Sequence, residues 1–212
     1  MKKSGLSNFL LIAAAAGLIS VCCLARADQY YVSLNAGATY PHTDQSPFDI
    51  GTKFTVGKSD IVVTALGAWG GSGQSNGSSG PSDFTTLQVD TTAYLWAYAD
   101  GTFTKLASVA IAKGTNATQA SNVANAGWAF GKLTTPVTLK AGGTYYITSD
   151  SQQNDGYTRL STSDLSFGSE VTFSAGAYSL PDEAPSITQA GDHPPFGGNF
   201  KYTVAPESGA AQ

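Results

Sequence analysis

The chain contains few of the residues that most often carry chemistry. Only two cysteines and two histidines occur among its 212 residues. Cys22 and Cys23 both lie within the first 27 residues, and neither His42 nor His193 has a second ligand at the spacing of a zinc site. We therefore expect no metal and no cofactor, and no disulfide or thiolate chemistry beyond residue 27.

The sequence also lacks the usual catalytic motifs. There is no G-x-S-x-G nucleophile elbow, and no lysine follows the glycines near residue 71 to form a phosphate-binding loop. Only three glutamates are present, so the two carboxylates that flank a glycosidic bond in a glycoside hydrolase have no obvious candidates. Oxygens of Asp182, Glu183 and Asp192 could bind calcium, although surface charge explains these residues more simply. We expect no catalytic residues.

The first 27 residues have the form of a secretory signal peptide. Lys2 and Lys3 provide a positive start, 9–21 is an apolar run, and Ala25 and Ala27 are the small residues of an A-x-A cleavage site. We predict cleavage between Ala27 and Asp28. The mature protein is then secreted or at the cell surface, in an extracellular or periplasmic location.

Two alternatives to a cleaved leader remain. A membrane anchor is disfavoured because the apolar run is shorter than the ~20 residues that span a bilayer. A lipoprotein would be attached through Cys22 or Cys23, but lipid attachment requires a small residue before the cysteine, and Val21 precedes Cys22.

Removal of the leader leaves an acidic chain. Three of the eleven basic residues and none of the fifteen acidic ones lie in 1–27, so the mature protein has a net charge of −7. Such a chain repels phosphate backbones and anionic lipid, which argues against nucleic-acid and membrane-surface partners. We expect one monomeric domain over 28–204, followed by a polar tail at 205–212.

The remaining sequence favours strands. It is rich in Gly, Ser, Thr and aromatic residues, and no segment shows convincing helical spacing of apolar residues. Alternating patterns predict about ten short strands, which indicate an all-β, antiparallel β-sandwich. They lie near 54–56, 61–69, 85–98, 103–112, 128–133, 137–139, 144–149, 157–160, 170–173 and 199–204.

Three segments interrupt the strand pattern. The stretch 70–82 is glycine- and serine-rich and predicts a mobile loop. A second long loop is predicted at 113–127, with a short helix over 117–126 as its alternative. The proline-rich segment 180–198 predicts an irregular crossing rather than a central strand.

Four local patterns give a resemblance to a known family. Residues 51–54 precede the strand 61–66, Tyr94-Leu95-Trp96 is followed by Asp100-Gly101, the run 127–146 contains Pro-Val, Ala-Gly and Tyr-Tyr elements, and 197–202 closes the series. Over roughly 48–204 this resembles the secreted bacterial β-sandwich modules of domain-of-unknown-function family 4082. The resemblance implies a jelly-roll-like sandwich found on or outside cells, without established catalytic residues.

The tail has a second resemblance. Val204-Ala205-Pro206-Glu207 is similar to the start of the PEP-CTERM sorting signal of exported, exopolysaccharide-associated proteins. Ser208 stands where that signal has its second proline, and the apolar span and basic end of the signal do not follow. An ordinary polar tail is the alternative.

Aromatic residues are the best candidates for core and ligand contacts. We expect Trp96 and Trp128 to be buried between the two sheets. Trp69 borders the glycine-rich loop, so it either ends a core strand or is exposed to a ligand. The ligand-binding candidates next to predicted loops are Trp69, Tyr157, Arg159 and His193.

The sequence thus favours a non-catalytic extracellular module that binds or associates with a matrix, with polysaccharide as the candidate partner. A purely structural protein of a coat or biofilm matrix is the first alternative. A secreted hydrolase is the second.

Overall fold

The protein is described by a computed structural model over residues 27–38, 42–44, 48–70, 85–122, 127–151, 157–189, 191 and 193–206. The predicted signal peptide before Ala27, nearly all of the predicted loop 70–82 and the tail after residue 206 lie outside this range. The mobility predicted for the loop therefore stays a prediction. None of the described residues forms a helix long and apolar enough to cross a membrane.

The described residues form an all-β fold, as predicted. In chain order the strands are β1 (Gln29–Tyr30), β2 (Val32–Leu34), β3 (His42–Asp44), β4 (Phe48–Val56), β5 (Ile61–Trp69), β6 (Thr91–Ala99), β7 (Thr102–Ile111), β8 (Trp128–Leu139), β9 (Thr144–Ser151), β10 (Tyr157–Arg159), β11 (Leu165–Phe167), β12 (Val171–Ser179), β13 (Ile187–Gln189), β14 (Pro195–Phe196) and β15 (Gly198–Val204). Within these ranges the one helical element is a short 3₁₀ turn at Thr162–Asp164.

The strands build two main antiparallel sheets. The larger has the order β13-β12-β4-β9-β6-β7, and the smaller has the order β1-β15-β5-β8. A three-stranded sheet, β14-β10-β3, and a two-stranded sheet, β11-β2, complete the fold. The two main sheets pack face to face in the manner of a β-sandwich. A jelly-roll-like arrangement stays a prediction.

The core lies between the main sheets and is largely aromatic. Phe54 of the six-stranded sheet and Phe200 of the four-stranded sheet have ring centroids 5.0 Å apart, and Tyr31 stacks on Phe200 at 4.9 Å. All three side chains are fully buried. Burial of each large aromatic side chain removes 150–250 Å² from water, so this contact stabilises the packing of one sheet on the other.

Several strand boundaries differ from the sequence prediction: β6 begins at Thr91 rather than at residue 85, and β4 begins at Phe48 rather than at residue 54. One further difference has a local reason. The strands predicted at 128–133 and 137–139 are one continuous strand, β8, with an irregularity in its pairing with β5. Pro136 causes no break because β8 is at the edge of its sheet, where a missing N–H costs no ladder bond. The alternative helix is not formed over the described part of 117–126, where isolated bridges occur instead.

The tight turn between β6 and β7 forms as predicted. Asp100 and Gly101 both have positive φ, 51° and 78°, which is the geometry of a type I′ hairpin turn. The hairpin places Tyr94, Trp96 and Tyr98 on the outer face of the six-stranded sheet, while Leu95 points into the core between the sheets.

Trp96 is therefore buried, as predicted, but not between the sheets. It is 5% exposed and belongs to a separate outer cluster formed with Tyr94, Tyr146 and Ala177. The alternation of β6 produces this result, since Leu95 occupies the inward position next to it. The ammonium group of Lys105 covers the outer cluster, 4.9 Å from the ring centroids of both Tyr94 and Trp96.

Candidate functional site

A cleft lies between the edge of the six-stranded sheet and the small sheet β14-β10-β3. Its volume is about 500 Å³, which is in the range of small-ligand sites. Strands β4, β12 and β13 supply one wall, and β10 and β14 supply the other. The described residues that line it are Phe48, Ile50, Tyr157, Arg159, Tyr178, Thr188, Gln189 and Pro195.

Strand pairing explains why these residues meet. β10 pairs with β14 so that Arg159 is opposite Pro195, and β12 pairs with β13 so that Tyr178 is opposite Ile187. Gly176 allows the two walls to approach, since a Cβ there would lie 2.4 Å from Cδ of Pro195. A side chain at this position would push the walls of the cleft apart.

The cleft combines aromatic rings with polar groups. Phe48 and Tyr178 pack edge to face with centroids 6.0 Å apart, and the Arg159 guanidinium lies 5.6 Å from the centroid of the Tyr157 ring. Thr188 and Gln189 add hydroxyl and amide groups. Rings that pack against the apolar face of a ligand, with a few polar groups that orient it, are typical of small-ligand sites.

Arg159 is held by long hydrogen bonds. Its guanidinium donates to Oε1 of Gln189 at 3.4 Å and to the Tyr157 hydroxyl at 3.5 Å, both beyond the 2.7–3.2 Å usual for N–H···O bonds. A guanidinium has five donors, so Arg159 can bind a ligand oxygen with its other N–H groups or exchange these weak bonds. It is the only charged side chain among the described residues of the lining.

The structure brings together two of the four predicted ligand-binding residues. Tyr157 and Arg159 line the cleft side by side on β10. His193 is exposed two residues before Pro195, but it is not among the described residues of the lining. Phe48, Tyr178 and Gln189 were missed because no short-range pattern marks a residue whose partner strand is distant in sequence.

The expectation that Trp69 is exposed to a ligand is wrong. Trp69 is only 2% exposed, and its ring meets that of Trp128 at 5.0 Å and an interplanar angle of 81°. The two residues are direct partners in the pairing of β5 with β8, which places both indoles in the core. Trp69 thus ends a core strand, the alternative that the sequence left open.

The described residues do not form the calcium site considered from the sequence. Within the described ranges no three His, Cys, Asp or Glu side chains are grouped so that they could hold a metal ion. Asp182 and Glu183 lie in the connection between β12 and β13, whereas Asp192 lies outside the described residues.

Comparison with known proteins adds no relative. No protein-family model, no curated protein and no solved structure matches the chain. The resemblance to domain-of-unknown-function family 4082 and that of the tail to a PEP-CTERM signal stay predictions.

Proposed function

We propose that the protein is a non-catalytic, secreted module that binds extracellular polysaccharide in the cleft between the six-stranded sheet and β10. The observation that carries this proposal is the lining itself, in which the rings of Phe48, Tyr157 and Tyr178 occur together with the polar groups of Arg159 and Gln189. A sugar presents an apolar face of C–H groups and a rim of hydroxyls. The rings match the face and the polar groups match the rim.

A role in binding accounts for the cleft better than hydrolysis does. Hydrolysis of a glycosidic bond uses two carboxylates on either side of that bond, and the described residues of the cleft include neither Asp nor Glu. Two carboxylates do meet elsewhere, Asp49 and Asp150, on the outer face of the six-stranded sheet. Asp49 is fully buried there, so it has no access to a substrate.

Affinity electrophoresis through gels that contain soluble neutral or acidic polysaccharides tests the proposal. We expect at least one polysaccharide to retard the mature protein. Arg159→Ala should abolish the retardation, because the substitution removes the one charged group of the described lining. Lys132→Ala, an exposed lysine on β8 in the other main sheet, is the control of equal charge change and should be retarded like the parent.

The outcomes separate the proposed roles. If no polysaccharide retards the parent protein, the binding function is contradicted and a purely structural matrix role is favoured. If the parent and Arg159→Ala are retarded equally, and circular dichroism shows that both proteins are folded, any binding lies outside the cleft. Release of reducing ends from a retarding polysaccharide would favour the hydrolase.

A further inference from the structure

Asp49 and Asp150 form a carboxyl pair that has no cation. They are direct partners in the pairing of β4 with β9, and their side chains lie on the outer face of the six-stranded sheet, the face of Trp96 and Tyr146. Asp49 is 0% exposed, and Asp150 is half-buried. The described residues offer no lysine or arginine in an ion pair with either carboxyl group.

The hydrogen bonds around the pair leave one oxygen unsatisfied. The backbone N–H of Asp182 donates to Oδ2 of Asp49 at 2.9 Å, and that of Thr92 donates to Oδ2 of Asp150, also at 2.9 Å. Oδ1 of Asp49 is buried and accepts no hydrogen bond from any donor among the described residues. A buried oxygen in this state has lost its hydrogen bonds to water without replacement, and this destabilises the fold more when the oxygen is charged. A hydrogen shared with Asp150 would remove this destabilisation.

None of the titratable groups that the described residues place near Asp49 is a cation: two are carboxyl groups, which repel its charge, and one is a neutral tyrosine hydroxyl. Asp150 faces it from β9, Asp182 from the connection after β12, and Tyr94 from β6. The Tyr94 hydroxyl donates to Oδ1 of Asp182. The lysines on the same face do not reach the pair. Lys53 and Lys105 lie over the aromatic rings of the outer cluster and its neighbours.

We propose that Asp49 and Asp150 bind one shared proton, and that this proton secures the connection between β12 and β13, two of the strands that form one wall of the cleft. The proton converts one carboxylate into a donor for the other and satisfies the buried Oδ1. A proton is favoured over a divalent cation because no three His, Cys, Asp or Glu side chains within the described ranges are placed so that they could hold a metal ion.

The pair is connected to the cleft through the backbone. Asp49 holds the N–H of Asp182, and the hydroxyl of Ser179 donates to the Glu183 carbonyl at 3.0 Å. The chain then enters β13, whose Thr188 and Gln189 line the cleft. Loss of the proton leaves two adjacent carboxylates that repel each other where this connection is attached. The effect on the cleft rests on the proposed function, whereas the shared proton does not.

The sign of the pH dependence follows from linkage. Burial, followed by the hydrogen bond and charge of Asp150, raises the pKa of Asp49 to about 8, against ~3.9 in an unfolded chain. Between these values the folded state holds a proton that the unfolded state has released. The bound proton therefore contributes fully to the free energy of unfolding below about pH 4, and this contribution is lost as the pH rises through 8. Between these pH values the unfolding constant grows by up to roughly tenfold per pH unit.

Urea unfolding at about pH 5.5 and about pH 8.5 tests the proposal. The variant Asp49→Asn resembles the protonated carboxyl, since its amide accepts from Asp182 and donates to Asp150. We expect the parent to lose stability between the two pH values and Asp49→Asn to lose much less, so that the variant is the more stable at the higher pH. Asp100→Asn, in the exposed β6–β7 turn, is the control and should follow the parent.

Two further measurements keep the test decisive. The infrared spectrum of the parent should contain a protonated-carboxyl band at about pH 6 that is absent at about pH 9, whatever the variant does. The amide resonances of Thr188 and Gln189 should shift with the same midpoint. Equal pH dependence in the parent and Asp49→Asn, or no such band, would refute the proposal. If millimolar calcium at the higher pH stabilised the parent but not Asp49→Asn, the shared proton would be contradicted and a bound cation favoured.

Discussion

Truncation of Trp128 is the sharpest perturbation of the packing between the sheets. Trp128 is fully buried, its ring packs at 5.0 Å against Trp69, and its indole N–H donates to the Gly197 carbonyl at 3.1 Å. Loss of a large aromatic side chain from a core costs about 3–5 kcal/mol. The lost hydrogen bond adds little, because the Gly197 carbonyl still accepts from the backbone N–H of Trp69 at 2.8 Å.

We expect Trp128→Ala to lower the free energy of unfolding by about 3–5 kcal/mol and the melting temperature by about 6–20 °C. Trp128→Phe keeps a ring against Trp69 and should cost only about 1–2 kcal/mol. Urea unfolding followed by far-ultraviolet circular dichroism measures both, with exposed Lys132→Ala as a control expected within about 0.5 kcal/mol of the parent. The pairing of β5 with β8 described here would be refuted by a Trp128→Ala midpoint that equals the parent's.

Two other predictions concern a strand interface and export. A Cβ on Gly51 would lie 1.7 Å from the carbonyl oxygen of Ile147 on β9. Gly51→Ala should therefore force β4 and β9 apart and yield little folded protein. The control Gly101→Asn, in the exposed turn, should fold normally because asparagine tolerates the positive φ at that position. Expression with the leader in a bacterial host should give a secreted product whose N-terminal sequence begins at Asp28, and a lipid-modified product that begins at Cys22 or Cys23 would contradict the signal-peptide prediction.

The sequence was most informative where a strand pattern extends over many residues. The sequence predicted the three long strands β5, β6 and β7, although it began β6 at residue 85, and Asp100-Gly101 identifies the turn between the last two. Strands of two or three residues, such as β10, β13 and β14, carry too little pattern to be recognised reliably, although β10 was found. The cleft is built mainly from these short strands, which is why its full lining could not be predicted.

Long-range pairing determined the features that the sequence did not reveal. Trp69 is buried because the register of β5 with β8 places it against Trp128, and no local pattern encodes that register. The same holds for Asp49 and Asp150, which are distant in sequence and adjacent only in the pairing of β4 with β9. Tyr157 and Arg159 could be proposed from sequence because they lie next to a predicted loop, and the structure places both on β10.

The binding role of the cleft is tested most directly by nuclear magnetic resonance of the ¹⁵N-labelled protein during titration with a polysaccharide that retards it in affinity gels. The account predicts that the amide resonances of Tyr157, Arg159, Thr188 and Gln189 shift together as the ligand is added, while that of Lys132 stays in place. Shifts confined to residues outside the cleft, or an unchanged spectrum with every polysaccharide tested, would contradict it.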